Sequence, residues 1–313
     1  MTDKNFPTIS ITIRSFDQNS SAMQKIRDNC DIRYINNTGK HLSEQGLIAA
    51  IHDVEGVIAG TENYSKGVLS AAKHLKAISR VGVGLDSIDL ETASKKGVKV
   101  LNTPLPPVQS VAEHTLALLL SVQKHIPSYN ENMRKHEYSI TPSNLLYQKT
   151  VGILGLGRVG YRVAEMLNHL GCFIIFYDPY LSFAPPTQWR RVGSLDDLLE
   201  QSDIITLHAA AQSGHTPLLD ESAFKKCRRG VIIINTARGS LINEDALINA
   251  LNENIVAAAG LDVFNHEPYN GPLLQYSQVI ITPHVASNTF EARRAMESEA
   301  VDNLIMALGG SNI

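Results

Sequence analysis

The sequence predicts an α/β protein made of two doubly wound parallel sheets, and three observations lead there. Short apolar runs alternate with helical patterns along most of the chain, the arrangement of parallel strands covered on both faces. Its 313 residues give room for two domains. A glycine-rich turn at 155–160 joins an apolar run to a helical pattern and starts a second sheet of its own.

Taken in order, Ile9-Ser10-Ile11-Thr12-Ile13 alternates and reads as the first strand, within 8–13. Further strands are expected at 32–35, 54–59, 75–79 and 98–101. Helices are expected between them at 21–29, 41–51, 68–72 and 88–96, the last closed by Gly97. Asn102-Thr103-Pro104, followed by Pro106 and Pro107, marks a boundary. A strongly apolar helix comes next, with Val111, Ala112, Thr115, Leu116, Leu118, Leu119, Leu120 and Val122. Its apolar residues cover more than one face, so burial on both sides is expected, against another subunit or another domain. Residues 127–146 read as polar and irregular, with one helical piece at 130–135.

The second sheet opens with Val151-Gly152-Ile153-Leu154, a buried strand. Gly155, Gly157 and Gly160 follow at G-x-G-x-x-G spacing, then a helix through Val163, Leu167 and Leu170, then a strand at 172–177 that delivers Asp178. Gly155 suits a tight turn, Gly157 lets a pyrophosphate approach the backbone, and Gly160 lets the helix pack closely. The helix start offers N–H groups and the positive end of its dipole to phosphates. Asp178, about twenty residues beyond the turn, suits the adenosine ribose hydroxyls and would repel a 2′-phosphate, which favours NAD over NADP. Later strands are expected at 204–208, 231–235, 256–264 and 279–282, with helices at 195–201 and 244–251. A final helix is expected to be capped by Asn288 and to stop at Gly309-Gly310.

Three polar residues stand just beyond strand ends: Arg238, Glu267 and His284. Ligands of open α/β sheets bind outside the carboxyl ends of the strands, so these residues can converge despite their separation in sequence. Arg can hold a carboxylate bidentately, and His can take a hydroxyl proton as hydride leaves carbon. A carboxylate beside that His favours the imidazolium, the proton donor of the reverse reaction.

Composition narrows the class. A net charge of −3 gives no basic field for nucleic acid. The first residues lack a signal-peptide core, and no apolar run spans a bilayer. Cys30, Cys172 and Cys227 show neither metal-ligand spacing nor a disulfide framework, so no metal is expected. A cytoplasmic protein without nucleic-acid or membrane partners is expected.

The motifs resemble those of the D-isomer-specific 2-hydroxy acid dehydrogenases, the family of phosphoglycerate, D-lactate, glycerate and formate dehydrogenases. The stretches that carry the resemblance are residues 80–89 (Arg-Val-Gly-Val-Gly-Leu-Asp-Ser-Ile-Asp), Asn102-Thr103-Pro104, Val111-Ala112-Glu113-His114, the run 151–160, Asn235-Thr236-Ala237-Arg238-Gly239, Gly260-Leu261-Asp262-Val263-Phe264, Glu267-Pro268 and Thr282-Pro283-His284-Val285-Ala286-Ser287. The resemblance implies a Rossmann NAD-binding domain at 104–287, inserted in a flavodoxin-like substrate domain formed by 1–103 and 288–313, with a cleft that closes on substrate. It implies catalysis by Arg238, Glu267 and His284. For the cofactor it implies Gly155, Gly157, Arg158, Val159, Gly160, Asp178, His208, Thr236, Ala237, Asp262 and His284, with Asp262 at the nicotinamide carboxamide. For the substrate it implies Arg80, Arg238 and the backbone donors of Val81, Gly82 and Val83. It also implies a homodimer, with the helix after Pro104 near the interface.

Departures are equally specific. The family commonly has x-Pro-x-Thr after the histidine at 208, where this chain has Ala209-Ala210-Ala211-Gln212. Phosphoglycerate dehydrogenases commonly place an arginine near the end of the third strand, where Ile58-Ala59-Gly60-Thr61 stands. Formate dehydrogenases have glutamine where this chain has Glu267, which favours hydroxy-acid chemistry. The sequence given ends at Ile313, so feedback through a C-terminal regulatory domain is not expected. The expected activity is NAD-dependent hydride transfer between nicotinamide and a D-2-hydroxy or 2-oxo acid, with D-3-phosphoglycerate the first choice by resemblance. The alternative is a non-enzymatic, NAD-sensing dimeric scaffold like the family's corepressors, which would have no need of all three of Arg238, Glu267 and His284.

Overall fold

The computed structural model describes residues 6–210 and 216–309. It divides into two compact units, Met1–Pro107 with Asn288–Ile313, and Val108–Ser287. The first unit runs β1 (Thr8–Ile11), α1 (Ser21–Asn29), β2 (Asp31–Ile35), α2 (Glu44–Ile51), β3 (Gly56–Ala59), α3 (Lys66–Ala71), β4 (Ala77–Arg80), α4 (Leu90–Lys95) and β5 (Lys99–Leu101). Its strands form one parallel sheet in the order β2-β1-β3-β4-β5. Ile9, Ile11, Val57, Ile58, Ala77 and Ile78 are fully buried because helices cover both faces.

Short polar side chains set the helix starts here. Ser20, Ser43, Ser65 and Asp89 each accept a backbone N–H of the first turn. The helix expected from His41 therefore begins at Glu44, where Ser43 Oγ accepts from Gly46 N at 3.1 Å.

The second unit runs α5 (Val108–Gln123), α6 (Ile126–Arg134), β6 (Thr150–Leu154), α7 (Arg158–His169), β7 (Phe173–Tyr177), β8 (Arg190–Arg191), α8 (Leu195–Gln201), β9 (Ile204–Leu207), α9 (Glu221–Lys226), β10 (Val231–Asn235), α10 (Glu244–Asn252), β11 (Val256–Leu261) and β12 (Val279–Ile281). The sheet order is β12-β11-β10-β9-β6-β7-β8, all parallel. The chain then returns to the first unit with α11 (Phe290–Ala307), whose Met296, Ala300 and Leu304 join the core cluster of Ile9, Ile11 and Ile58. Thr289, not Asn288, caps α11, its Oγ1 accepting from Ala292 N at 3.2 Å. The helix ends at Gly309, whose φ of 88° lies in the left-handed region, while Gly310 is outside the described residues.

Both faces of α5 find partners inside its own unit. It packs against β10, β11 and β12, and against α7. Three elements differ from expectation. α6 starts at Ile126 with a proline in its first turn, β8 has only two residues, and α9 is a six-residue helix capped by Asp220.

One feature of the second sheet places every later side chain. Pairing aligns Tyr177, Leu154, Leu207, Asn235, Leu261 and Ile281 in a single row across β7, β6, β9, β10, β11 and β12. The next residue of each strand therefore leaves the sheet at the same carboxyl edge: Asp178, Gly155, His208, Thr236, Asp262 and Thr282. The direction of chain travel reverses between β6 and β9, which is the switch point where ligands of such sheets bind.

Candidate active site

At the switch point the three glycines meet different surroundings. Gly155 has φ 87°, and a Cβ built there would lie 2.7 Å from Ala209 N. A Cβ on Gly160 would lie 2.1 Å from Gly155 O. A Cβ on Gly157 would meet nothing within 4 Å. Gly155 and Gly160 thus close the turn on itself, and Gly157 borders open space. Gly157 stands at the N-cap of α7 with no side-chain cap, whereas serine, threonine or asparagine caps α1, α2, α8, α10 and α11. The first amides of a helix have no intrahelical partner, so this end keeps its positive pole for a ligand.

Asp178 is tied to this turn. Its Oδ2 accepts from Leu156 N and its Oδ1 from Tyr180 N, both at 2.9 Å, and Arg191 Nη2 donates to its backbone oxygen at 2.8 Å. Across the switch point, His208 Nε2 lies 2.9 Å from Thr206 Oγ1. His208 is half-buried as a residue, but its ring is enclosed, and that burial pushes its pKa down to about 3. It is therefore neutral at physiological pH. In the departure 209–212, Ala209 packs behind Gly155, and Ala211 and Gln212 lie outside the described residues. An open space beside an uncapped helix start, with a carboxylate about one strand away, fits a dinucleotide.

At the other end of the row, His284 Nδ1 lies 2.8 Å from Glu267 Oε2. A carboxylate only accepts, so Nδ1 carries the hydrogen and Nε2 is left for proton exchange. Glu267 is fixed in turn, because its Oε1 accepts from Phe264 N at 3.1 Å. Both side chains are partly exposed, as proton exchange with a substrate requires. His284 has φ 54°, a left-handed conformation uncommon outside glycine.

The turn is held by Asp262, which is fully buried. Its Oδ1 accepts from Thr282 Oγ1 at 2.6 Å and from Val285 N at 2.9 Å, and its Oδ2 accepts from Ala286 N at 2.9 Å. Burial raises the Asp262 carboxyl, but hydrogen bonds from His114, Thr282, Val285 and Ala286 outweigh it and hold the group below its ordinary value.

Arg238 follows β10 by three residues. Asn235 Oδ1 accepts from Ala237 N at 3.0 Å and Asn235 Nδ2 donates to Arg238 O at 2.8 Å, which fixes the turn around it. Arg238 Nη1 donates to Ala237 O at 2.6 Å. Thr236 Oγ1 is 2.8 Å from Thr115 Oγ1 on α5. Gly239 lets this turn touch the segment leading to Glu267, since a Cβ there would lie 2.0 Å from Phe264 C.

In the first unit, the loop after β4 corrects an expectation. Val81 N donates to Ala59 O at 2.9 Å, and Gly82 N donates to Thr103 Oγ1 at 2.8 Å. These two amides are occupied internally, so they do not serve as donors to a substrate carboxylate. Val83 remains, 44% exposed, with its carbonyl held by Asn102 Nδ2.

Sequence reasoning found the ends of the row and missed what ties them together. Ser110, His114 and Thr282 all bond within this region; His114 and Thr282 lie in motif stretches that carry the resemblance, but nothing in the sequence joins those stretches to one another.

Comparison with known proteins gives the family. Residues 116–286 match the family model described as D-isomer specific 2-hydroxyacid dehydrogenase, NAD binding domain. The chain is 36% identical over 298 residues to a D-3-phosphoglycerate dehydrogenase of Mycobacterium tuberculosis, covering 93% of this chain and 55% of that protein. It thus spans about half the length of the phosphoglycerate dehydrogenases it matches. A hydroxypyruvate reductase of Thermotoga maritima is 36% identical over 281 residues, covering 87% of this chain and 90% of the relative. A solved D-lactate dehydrogenase of Aquifex aeolicus, complexed with NAD and lactic acid, superposes with a TM-score of 0.83 at 26% identity, over 96% of both chains. The chain belongs to the D-isomer specific 2-hydroxyacid dehydrogenase family, and its second unit carries that family's NAD binding domain.

Proposed function

We propose that this protein is an NAD-dependent dehydrogenase that interconverts a D-2-hydroxy acid and its 2-oxo acid. The observation that carries the reading is the 2.8 Å contact between His284 Nδ1 and Glu267 Oε2 on the same sheet edge as the glycine turn. NAD held along this edge would supply the acceptor or donor of the hydride. His284 Nε2 takes the hydroxyl proton in oxidation and returns it in reduction. Glu267 holds the ring through Nδ1 and so keeps Nε2 turned to the proton. Arg238 binds the substrate carboxylate and polarises the carbonyl.

For the cofactor, Gly155, Gly157 and Gly160 would make room, the amides of Arg158 and Val159 would hold the pyrophosphate, and Asp178 would hold the ribose hydroxyls. His208, Thr236 and Ala237 line the rest of the edge. Asp262 is closed to solvent and Oδ2 meets one donor, Ala286 N, so contact with a carboxamide would use the remaining lone pair of Oδ2. For the substrate, the reading also includes Arg80 and the amide of Val83. Relatives at similar identity act on different acids by name, so the tail of the substrate is read by experiment, with D-3-phosphoglycerate and phosphohydroxypyruvate as the first pair.

The same reading includes a homodimer and a cytoplasmic setting. Ile126, Met133, Tyr138, Ile140 and Leu145 are all exposed in the segment after α5, an apolar surface of the kind that pairs subunits. Cys30, Cys172 and Cys227 are free and buried, which suits a reducing compartment. Among the described residues no helix is long and apolar enough to cross a membrane.

The test is NADH oxidation across a panel of 2-oxo acids, repeated with NADPH. Turnover of one acid, faster with NADH, is the expected result. Binding of NADH without turnover of any acid would overturn the enzymatic reading and favour a sensor. Analytical ultracentrifugation reads the dimer directly.

A further inference from the structure

His114 belongs to a motif that the proposed mechanism leaves without a task. It stands on α5 one turn after Ser110, and both side chains reach the turn that carries His284. Ser110 Oγ donates to Ala286 O at 2.6 Å. His114 Nε2 lies 3.1 Å from Thr282 Oγ1 and 3.5 Å from Asp262 Oδ1. Thr282 has one hydroxyl hydrogen, and it goes to Asp262 Oδ1 at 2.6 Å because a carboxylate only accepts. Thr282 Oγ1 must then accept from His114, so the hydrogen between them belongs to Nε2. The chain of bonds has one direction, from His114 through Thr282 to Asp262. Asp262 closes the circuit on the amides of Val285 and Ala286. His284, at φ 54°, is bracketed on both sides by this one carboxylate.

We infer that His114 is a positioning residue for proton transfer at His284: its Nε2–H orients the Thr282 hydroxyl onto Asp262 and so holds the 282–286 turn in the conformation that brings the imidazole to Glu267. The inference rests on the reading of His284 as the proton carrier. His114 touches no reacting atom, so its effect is on geometry. Without it the Thr282 hydroxyl is free to turn away, Asp262 loses a directed donor, and the left-handed residue loses part of its restraint. A displacement of about 1 Å at a reacting group can cost on the order of a hundredfold in rate.

The experiment compares His114→Ala, His114→Gln, Thr282→Val, Thr282→Ser and His284→Ala. The oxo acid is whichever of hydroxypyruvate and phosphohydroxypyruvate the wild type reduces faster. His114→Ala and Thr282→Val are expected to lower kcat roughly tenfold or more, with KM for the acid and Kd for NADH within about twofold. His114→Gln, whose amide still donates, and Thr282→Ser, which keeps the hydroxyl, are expected to recover most of the loss. In the cofactor-free protein, the Nδ1–H proton resonance of His284 is expected to weaken in the two damaging variants and return in the two conservative ones. Wild-type kcat and an unchanged resonance in His114→Ala and Thr282→Val would overturn the inference. Equal losses in KM and Kd, or no recovery in the conservative variants, would overturn it in favour of general packing. His284→Ala separates the two levels: if it too keeps wild-type kcat, the proposed mechanism falls, and if it alone is inactive, only the role of His114 falls.

Discussion

The turns after β6 and β12 leave the same edge of the same sheet and end differently, the first in an uncapped helix start and the second in a clamped loop. After β6, the start of α7 has no side-chain cap, and Gly157 borders space that a Cβ could enter freely. After β12, the amides of Val285 and Ala286 are both taken by the buried carboxylate of Asp262. In the first turn the amides of Gly155 and Leu156 are used internally, and it is the start of α7 that keeps its donors for a ligand. A turn that aims a reactive side chain uses its donors to fix itself. The difference explains why glycine suits the first turn, while the second tolerates a histidine at φ 54°.

The largest test of this contrast removes the aimed group. His284→Ala is expected to lower kcat about a thousandfold and to leave the NADH Kd within twofold, since the first turn is untouched; stopped-flow and equilibrium fluorescence read the two values. A parallel rise in Kd would mean that the turns are not separate devices.

Asp262→Asn strikes the clamp itself and is expected to cost about 2 kcal/mol near neutral pH, measured by urea unfolding. The sign with pH follows from the folded carboxyl lying below its ordinary 3.8. The unfolded chain then binds the proton more readily, so the stability from Asp262 is present above about pH 4 and fades as pH falls through the folded value. The gap between wild type and Asp262→Asn should therefore narrow in acid. A gap independent of pH would show that the charge contributes nothing.

The glycines sharpen the contrast within one turn. Gly160→Ala places a methyl 2.1 Å from Gly155 O and is expected to destabilise by about 1–3 kcal/mol. Gly157→Ala meets no atom, so its melting temperature should stay within about a degree while NADH binds roughly tenfold more weakly. Loss of stability in Gly157→Ala, with NADH affinity intact, would reverse the roles.

The smallest effect is a reporter. Trp189 is the single tryptophan, nearly buried, with its ring 5.0 Å from Tyr161, the residue after Gly160. NADH at the first turn should quench its emission, Trp189→Phe should abolish the signal, and the Kd measured by calorimetry should not change.

What was legible in the sequence follows from the same contrast. The strand ends could be read because apolar runs stop where the edge begins, which is how Asp178, His208, Arg238 and His284 came to notice. Partners across long separations could not. His114 and Thr282 are 168 residues apart, and no spacing rule joins them. Nothing in the sequence shows that Thr103, 21 residues on, accepts from the amide of Gly82. Helix starts moved by a few residues where a cap such as Ser43 or Thr289 overrode periodicity. Two short elements, β8 and α9, carry too few residues for a period to show.

The single row from Tyr177 to Ile281 has a consequence for how such a protein can change. Strand pairing works as a ruler, so the position of each working residue is counted from its own strand and not from its neighbours along the chain. Segments that return to the opposite edge can lengthen, shorten or be exchanged without moving any residue at the working edge. A one-residue deletion inside a single strand, by contrast, would displace one function and leave the other five in register. Diversification is therefore expected to collect in the returns, and loop grafting between relatives should begin there.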